Sequence, residues 1–374
     1  MNSRLPSIRS LLITAGVMLS ACSEPETVTT ERLTAAAALA GGDVDGYERV
    51  TGPRQFRFPE DHGRHPSYRN EWWYLTGNVN AEDGRRFGYQ VTFFANALRP
   101  SADASCDTTR WCTDHVWMGH AAISDAATGT HYAAELFSRE NPALAGVSTD
   151  PFRVWIQDWQ LFSTTTGLPW ELEVFAEDFV LTLQLDTAKA PVLQGNDGFS
   201  MKSPEPGNAS YYYSMTRMAT SGRLHLGNEE FAVRGDSWLD REWSTSALAA
   251  DQSGWDWFSL QFNDGTELMY YQLRTLDGEA HPASSGNFTS LMGTQTAITA
   301  DEMSLAAMAD WQAPDGTVYN TAWRMRWQDN TWIVKAVFAD QLMDVTFQYW
   351  EGAVDILDAD TNAVVGRGYL EMVH

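Results

Sequence analysis

From Trp72 to the C-terminus the sequence repeats one pattern, short runs in which apolar and polar residues alternate, rich in Val, Phe, Tyr, Trp and Thr and parted by Gly, Asp and Asn. A period of two puts successive side chains on opposite faces of an extended chain, so these runs are strands with a buried face. Phe87 to Ala95, Val116 to Ser124, Glu171 to Phe175, Phe179 to Leu185 and Tyr211 to Arg217 are of this kind. So are Trp257 to Phe262, Glu267 to Arg274, Ala322 to Trp327 and Thr331 to Phe338. Between runs, Glu82-Asp83-Gly84, Asn263-Asp264-Gly265 and Gln328-Asp329-Asn330 supply the positive φ or the Asx turn that a hairpin needs. The expected class is all-β and antiparallel, arranged as barrels or sandwiches. One helix is expected against this background, because Thr299-Ala300-Asp301-Glu302 has the form of a capping box ahead of Met303 to Met308.

Residues 1–21 have the layout of a secretory signal: Arg4 and Arg9, an apolar run from Leu11 to Leu19, then Leu19-Ser20-Ala21-Cys22. A small residue before Cys matches a lipobox, so Cys22 is expected to carry lipid, with an ordinary signal cut elsewhere as the alternative. Residues 22–49 then form the lipidated Cys and a tether rich in Glu, Thr and Ala. This places the protein on the periplasmic face of a bacterial membrane. Ser23 points to the outer membrane, by analogy with lipoprotein sorting. Removing the signal leaves 23 basic against 49 acidic residues, a net charge of −26, which excludes nucleic acid as a partner. The remaining length exceeds one usual core, and the small, polar stretch Ser244 to Gly254 breaks the strand pattern, so two domains are expected, 50–245 and 246–374. After Cys22 only Cys106 and Cys112 remain, a pair spaced for a small structural disulfide loop in an oxidising compartment. No Cys-His cluster or H-E-x-x-H motif points to a metal, no G-x-S-x-G elbow to a serine hydrolase, and no Gly-rich loop to phosphate; no cofactor is expected.

The sixteen Trp residues gather beside acids instead of scattering. In an extended chain Glu71 and Trp73 share one face, with Asn70, Trp72 and Tyr74 on the other. Trp238, Asp240 and Glu242 likewise align, opposite Leu239, Arg241 and Trp243. Two carboxylates two residues apart on a strand lie about 7 Å from each other, near enough to raise one pKa in a dry site. Asp240 and Glu242 are therefore the candidate catalytic acids, the alternative being that Asp240, Arg241 and Glu242 form ion pairs at a barrel end plugged by Trp. Candidate ligand-binding residues are Glu71, Trp72, Trp73, His120, Trp238, Trp243, Trp255, Asp256, Trp257 and Tyr270. Glu71 reads more readily as a cap on a strand-end amide or an arginine partner, His120 equally as a hydrogen-bonded core residue, and Tyr270, with Gln272 and Arg274, as polar lining or, by default, solvent face. Asn70-Glu71-Trp72-Trp73-Tyr74 and Arg241-Glu242-Trp243-Ser244 hint at an internal duplication.

Asn70 to Gly77, Tyr212 to Arg217, Ser237 to Trp243, Gly254 to Phe258 and Gly368 to Met372 together resemble the AttH-like family, related to carotenoid 1,2-hydratase (hydroxyneurosporene synthase), from about residue 50 to the end. The resemblance implies two consecutive lipocalin-like (calycin) antiparallel β-barrel domains. In the hydratase branch, water adds across a terminal isoprenoid double bond without a cofactor after a carboxylic acid protonates the alkene. Carried onto this sequence, the acid is Asp240 or Glu242, and Trp238, Trp243, Trp255 and Trp257 supply aromatic walls for the cation. The closer likeness is to the secreted branch, whose genes often accompany ABC-type transporter components. Three functions follow as expectations: a lipid-anchored protein that binds a lipophilic isoprenoid or lipid-like molecule, with membrane and transporter as partners; a cofactor-free isoprenoid hydratase; and sugar binding by exposed Trp platforms.

Overall fold

The computed structural model describes residues 44–100, 112–246 and 248–374. Cys22, Cys106 and the expected bridge to Cys112 lie outside them, although Cys112 itself is disulfide-bonded. The strands of the first sheet are β1 (Asn70–Ala81), β2 (Arg86–Ala97), β3 (His115–Asp125), β4 (Thr130–Arg139), β5 (Ala145–Thr149), β6 (Phe152–Ile156), β7 (Trp159–Ser163), β8 (Trp170–Phe175), β9 (Phe179–Asp186), β10 (Val192–Leu193), β11 (Phe199–Met201), β12 (Ala209–Leu226) and β13 (Glu229–Ser244). The second holds β14 (Gln252–Phe262), β15 (Glu267–Thr275), β16 (Ser285–Thr289), β17 (Gln295–Thr299), β18 (Met303–Gln312), β19 (Val318–Trp327), β20 (Asn330–Ala336), β21 (Leu342–Met343), β22 (Tyr349–Asp358) and β23 (Val364–Val373). The class is all-β, as the alternation predicts, and every pairing between strands is antiparallel.

Hairpins turn where the sequence places φ > 0 or an Asx turn. Gly84 (φ +88°) joins β1 to β2, with Asp83 Oδ1 accepting from the Arg85 amide at 2.9 Å. Gly265 (φ +84°) and Gln328 (φ +52°) do the same further on. The expected helix after Thr299 is absent. Thr299–Glu302 is a turn in which the Glu302 carboxylate accepts from the Thr299 amide (3.0 Å) and Asp301 from the Thr299 hydroxyl (2.6 Å), and the chain continues as strand β18. The side-chain-to-backbone bonds of a capping box are thus used to close a tight β connection. Local chemistry does not distinguish the two; pairing of Met303 to Gln312 with β19 does. Among the described residues the helical element is a three-residue 3-10 turn, Glu60–His62.

The order of strands is β4-β3-β2-β1-β13-β12-β9-β8-β7-β6-β5 in the first sheet and β17-β16-β15-β14-β23-β22-β20-β19-β18 in the second. In both, the first strand pairs with the next and with the last, so each sheet curls on itself into a barrel-like unit around its own apolar interior. The chain passes between sheets after Ser244 and before Gln252. The two segments that look alike in sequence, around Trp72 and Trp243, are not equivalent copies but direct neighbours: Glu71 lies opposite Trp243 and Trp72 opposite Glu242. By connectivity the counterpart of β1 is β14, and that of β13 is β23. Tyr74 faces Asp240 across β1–β13 as Trp257 faces Glu371 across β14–β23.

A third apolar cluster, with Tyr74, Tyr212, Trp238, Trp257, Tyr271, Tyr349 and Tyr369, lies between the sheets. Gly88 is required there, since a Cβ at that position would lie 2.6 Å from the Cβ of Ala353. Charge also joins the halves. The fully buried Glu267 of β15 accepts from Lys189 (2.7 Å) and from Arg217 Nε of β12 (2.7 Å). Removing one member of a buried ion pair strands the other. Glu267→Ala is expected to cost about 3 kcal/mol in urea unfolding, the low end for such a loss because Lys189 and Arg217 are each part-exposed and regain water. A cost below ~1 kcal/mol would show that the sheets are held by apolar contact alone.

Candidate functional site

Each strand of the junction presents one face to its own barrel interior and the other to the space between the sheets. On β1, Trp73 and Leu75 enter the first interior while Trp72 and Tyr74 face the junction. On β13, Leu239 and Trp243 point inward while Trp238, Asp240 and Glu242 point to the junction. On β14 and β15, Trp255, Trp257, Tyr271 and Leu273 face it, and Phe258, Leu268 and Tyr270 belong to the second interior. These faces enclose a cavity of about 390 Å³, within the range of small-molecule sites. Of the residues singled out in sequence, Trp72, His120, Asp240, Glu242, Trp255 and Trp257 line it.

The others do not. Glu71 lies inside the first barrel, paired with Arg241 (2.5 Å) and Arg64 (2.5 Å). Burial pushes its carboxyl up, but Arg241, His65 and Arg64 outweigh this and hold it well below the usual carboxylate range. Trp73 stacks under the Arg241 guanidinium at 3.7 Å, and Trp243 stacks on His65 at 3.7 Å. Asp256 pairs with Arg274 at 2.5 Å on the far face of β14, and Tyr270 is core. Trp238 stands behind the wall, its indole N–H on Asp240. For Glu71, Trp73, Trp243, Asp256 and Tyr270 the reason is strand parity, since their neighbours one residue away take the cavity face, whereas Trp238 shares the face of Asp240 and is covered behind it. No sugar platform is formed by Trp73, Trp238 or Trp243, which are buried.

Asp240 is 3% exposed and accepts three hydrogen bonds, from Trp238 Nε1 (2.6 Å) and Ser214 Oγ (2.5 Å) at Oδ1 and from Tyr212 OH (2.5 Å) at Oδ2. Tyr212 OH in turn accepts from Trp257 Nε1 of the other sheet at 3.1 Å. Burial pushes Asp240 up to about 7; the three donors work against that, and the nearby Glu242 charge adds to it. Glu371, on β23, is pushed up to about 8 by burial, against the hydrogen bond from Trp255 and with the Asp240 and Glu242 charges adding to the rise. Glu351, whose Oε1 accepts from Tyr74 OH, is raised well above the carboxylate range by burial and by Glu371. Glu242 instead pairs with Lys202 (3.2 Å), whose ammonium sits 4.1 Å over the Tyr271 ring. Burial opposes that charge, but Glu242 keeps the Lys202 pKa above its ordinary value.

His120 shares hydrogen bonds through Nδ1 with Tyr349 OH (2.9 Å) and through Nε2 with Glu135 (3.1 Å), and burial lowers its pKa against the opposing pull of Glu135. Among the described residues no group of three or more His, Cys, Asp and Glu is placed to hold a metal. Sequence reasoning missed Tyr74, Tyr212, Tyr271, Tyr349, Lys202 and Glu371 as cavity residues. The motif Gly368 to Met372 contains Glu371, and the parity rule puts Tyr212 on the face away from Tyr211 and Tyr213. Lys202 carries no signal, since its place depends on the loop before β12.

The sequence model of the AttH-like family matches residues 49–374. Among solved structures, an AttH of Nitrosomonas europaea is similar over 87% of this chain and 99% of its own, at 32% identity and a TM-score of 0.79. A kievitone hydratase of Nectria haematococca shares the fold over 88% of this chain and 96% of its own, at 12% identity and a TM-score of 0.67. No curated protein sequence matches.

Proposed function

This chain belongs to the AttH-like family, and from that premise we propose that it binds a lipophilic, isoprenoid- or lipid-like small molecule in the cavity between its two sheets. The observation that carries this reading is the aromatic lining of a 390 Å³ space, with Trp72, Phe94, Trp255, Trp257 and Phe347 among its walls. Apolar burial is what such a surface offers, roughly 25 cal/mol per Å² removed from water. The lipobox at Cys22 supports a membrane-anchored, periplasmic setting, where a carrier for a transporter of the ABC type would meet its cargo. Purified full chain, extracted with organic solvent, is expected to release one lipophile in near-stoichiometric amount by mass spectrometry. An empty cavity that also fails to bind hydrophobic fluorescent probes would sink the reading.

A second reading, cofactor-free hydration of an isoprenoid double bond, is favoured by the raised pKa of Asp240 and Glu371, which leaves Glu371 largely and Asp240 partly protonated beside indoles near pH 7. A carboxyl proton adds to one alkene carbon, water bonds to the cationic carbon left behind, and the proton lost by that water returns to the carboxylate. Glu242 is engaged with Lys202, so Asp240 is the better donor. Supplied with the released lipophile, Asp240→Asn is expected to lower turnover by about 10²-fold or more. Undiminished turnover in both Asp240→Asn and Glu242→Gln would remove these acids from the chemistry.

A further inference from the structure

One row of cross-strand partners crosses the first sheet along the cavity wall. Phe137 on β4 lies opposite Met118 on β3, Met118 opposite Phe94 on β2, and Phe94 opposite Trp72 on β1. Trp72 then lies opposite Glu242 on β13, and Glu242 opposite Tyr212 on β12. All six line the cavity. With strands about 4.8 Å apart the row runs ~24 Å along the curved sheet, and its first ~14 Å, from Phe137 to Trp72, is apolar. Polarity begins abruptly at β13.

Exposure runs in the opposite sense. Phe137 is 45% exposed and Leu98, also on the wall, 56%, whereas Glu242 is 7% and Tyr212 1% exposed. The cavity is therefore open at its apolar end and closed at its polar one. At the closed end and along the wall stand three carboxyl groups, Asp240, Glu242 and Glu371. Among the described lining residues Lys202 is the one Lys or Arg, and it is already paired with Glu242.

We infer that the occupant is an elongated, uncharged amphiphile that enters head first, with a hydroxyl or carbonyl oxygen against the Lys202–Glu242–Glu371 end and its hydrocarbon tail along Trp72, Phe94, Met118 and Phe137, and that the same tail bearing a carboxylate is rejected. The inference rests on the lipophile-binding reading and narrows its ligand class. A neutral oxygen accepts a hydrogen bond from the ammonium or from a carboxylic acid without adding charge. A carboxylate head would be desolvated beside the Glu242 carboxylate, which already holds Lys202, with no other cation among the described lining residues to meet it. A plain hydrocarbon would leave the polar end unmatched.

The full chain titrated with all-trans-retinol and with all-trans-retinoate, which share a tail and differ in the head, tests this by energy transfer from tryptophan near neutral pH. Retinol is expected to bind about tenfold or more tighter than retinoate. In the double variant Glu242→Gln/Glu371→Gln, Lys202 is released and two acids are gone, so the preference is expected to shift towards retinoate by about tenfold or more. Equal or tighter retinoate binding by the unaltered chain overturns the inference while leaving lipophile binding intact. If neither retinoid binds although a lipophile is recovered from the purified chain, the amphiphile of this length and head is wrong and the inference falls alone. With neither binding nor a recovered lipophile, both readings fall.

Discussion

Arg241→Met is expected to destabilise the protein by about 3–5 kcal/mol and to disturb the cavity with it. Arg241 is wholly buried, and its guanidinium donates to Glu71 (2.5 Å), to the Gly63 carbonyl (2.6 Å) and to the carbonyls of Glu242 (3.1 Å) and Trp72 (3.3 Å). It lies 3.7 Å over Trp73. Methionine fills much of the volume but leaves those carbonyls without their donor and the buried Glu71 carboxylate with Arg64 and the amide and ring of His65. Because the cost comes from the stranded partner, the double variant Glu71→Leu/Arg241→Met is expected to recover a good part of it, which a double-mutant cycle by urea unfolding measures. Asp240 and Glu242 flank Arg241 on β13, so the single variant is also expected to weaken probe binding. A loss of less than ~1 kcal/mol would mean that the Trp packing alone holds this end of the barrel.

Stability is expected to fall as pH rises from about 6.5 to 9, against the usual plateau. Asp240 (about 7) and Glu371 (about 8) have folded pKa values above their ordinary ones because burial penalises their charge, and Glu351 is shifted the same way. Groups raised in this manner bind protons more tightly folded than unfolded. Their contribution is full below the unfolded carboxylate range, declines above it, and is lost once pH passes the folded value. Glu71, Asp61 and Glu140 work in the other direction, each held low by cationic or hydrogen-bonding partners despite burial, and they withdraw stability only as pH drops through their lowered values. His62, His131 and His374, each lowered to about 4 by burial, add stability as pH rises from about 4 to 6.5 and offset the raised acids there, so the decline is expected above about pH 6.5, on the order of 1–2 kcal/mol per raised acid towards pH 9. Glu371→Gln is expected to flatten the alkaline limb and to converge with the unaltered chain near pH 4. Unfolding free energies at about pH 6.5, 7.5 and 9 decide it; a flat or rising profile would mean that these carboxyls are hydrated and ionised in the cavity, and would also take the proton donor away from the hydration reading.

The retinoid comparison and the pH profile interrogate the same acids from two sides. A neutral Glu371 is a hydrogen-bond donor to an uncharged head and an unfavourable charge once ionised. Both the preference for retinol and the stability maximum should weaken together in Glu371→Gln. Independent behaviour would separate the site's electrostatics from its ligand.

Much of this protein was legible before any tertiary structure. Alternation at period two specifies strands, the positions of Gly84 and Gly265 specify turns, and parity alone sorts Trp238, Asp240 and Glu242 onto one face and Leu239, Arg241 and Trp243 onto the other. Such information is local, carried by the geometry of an extended chain and the φ that a residue tolerates. Which of the two faces meets a ligand is not local. Glu71, Trp73 and Trp243 were as plausible a wall as Trp72 and Tyr74 until the pairing of β1 with β13 put one set inside a barrel and the other between two sheets. The turn at Thr299 carries side-chain bonds that serve a helix start and a β connection equally, and only pairing with β19 chooses. Lys202 and Glu371 reach the cavity from loops and strands far away in sequence. The protonation of Asp240 depends on how much water the second sheet displaces, because burial is a property of the assembled molecule and no residue carries it alone.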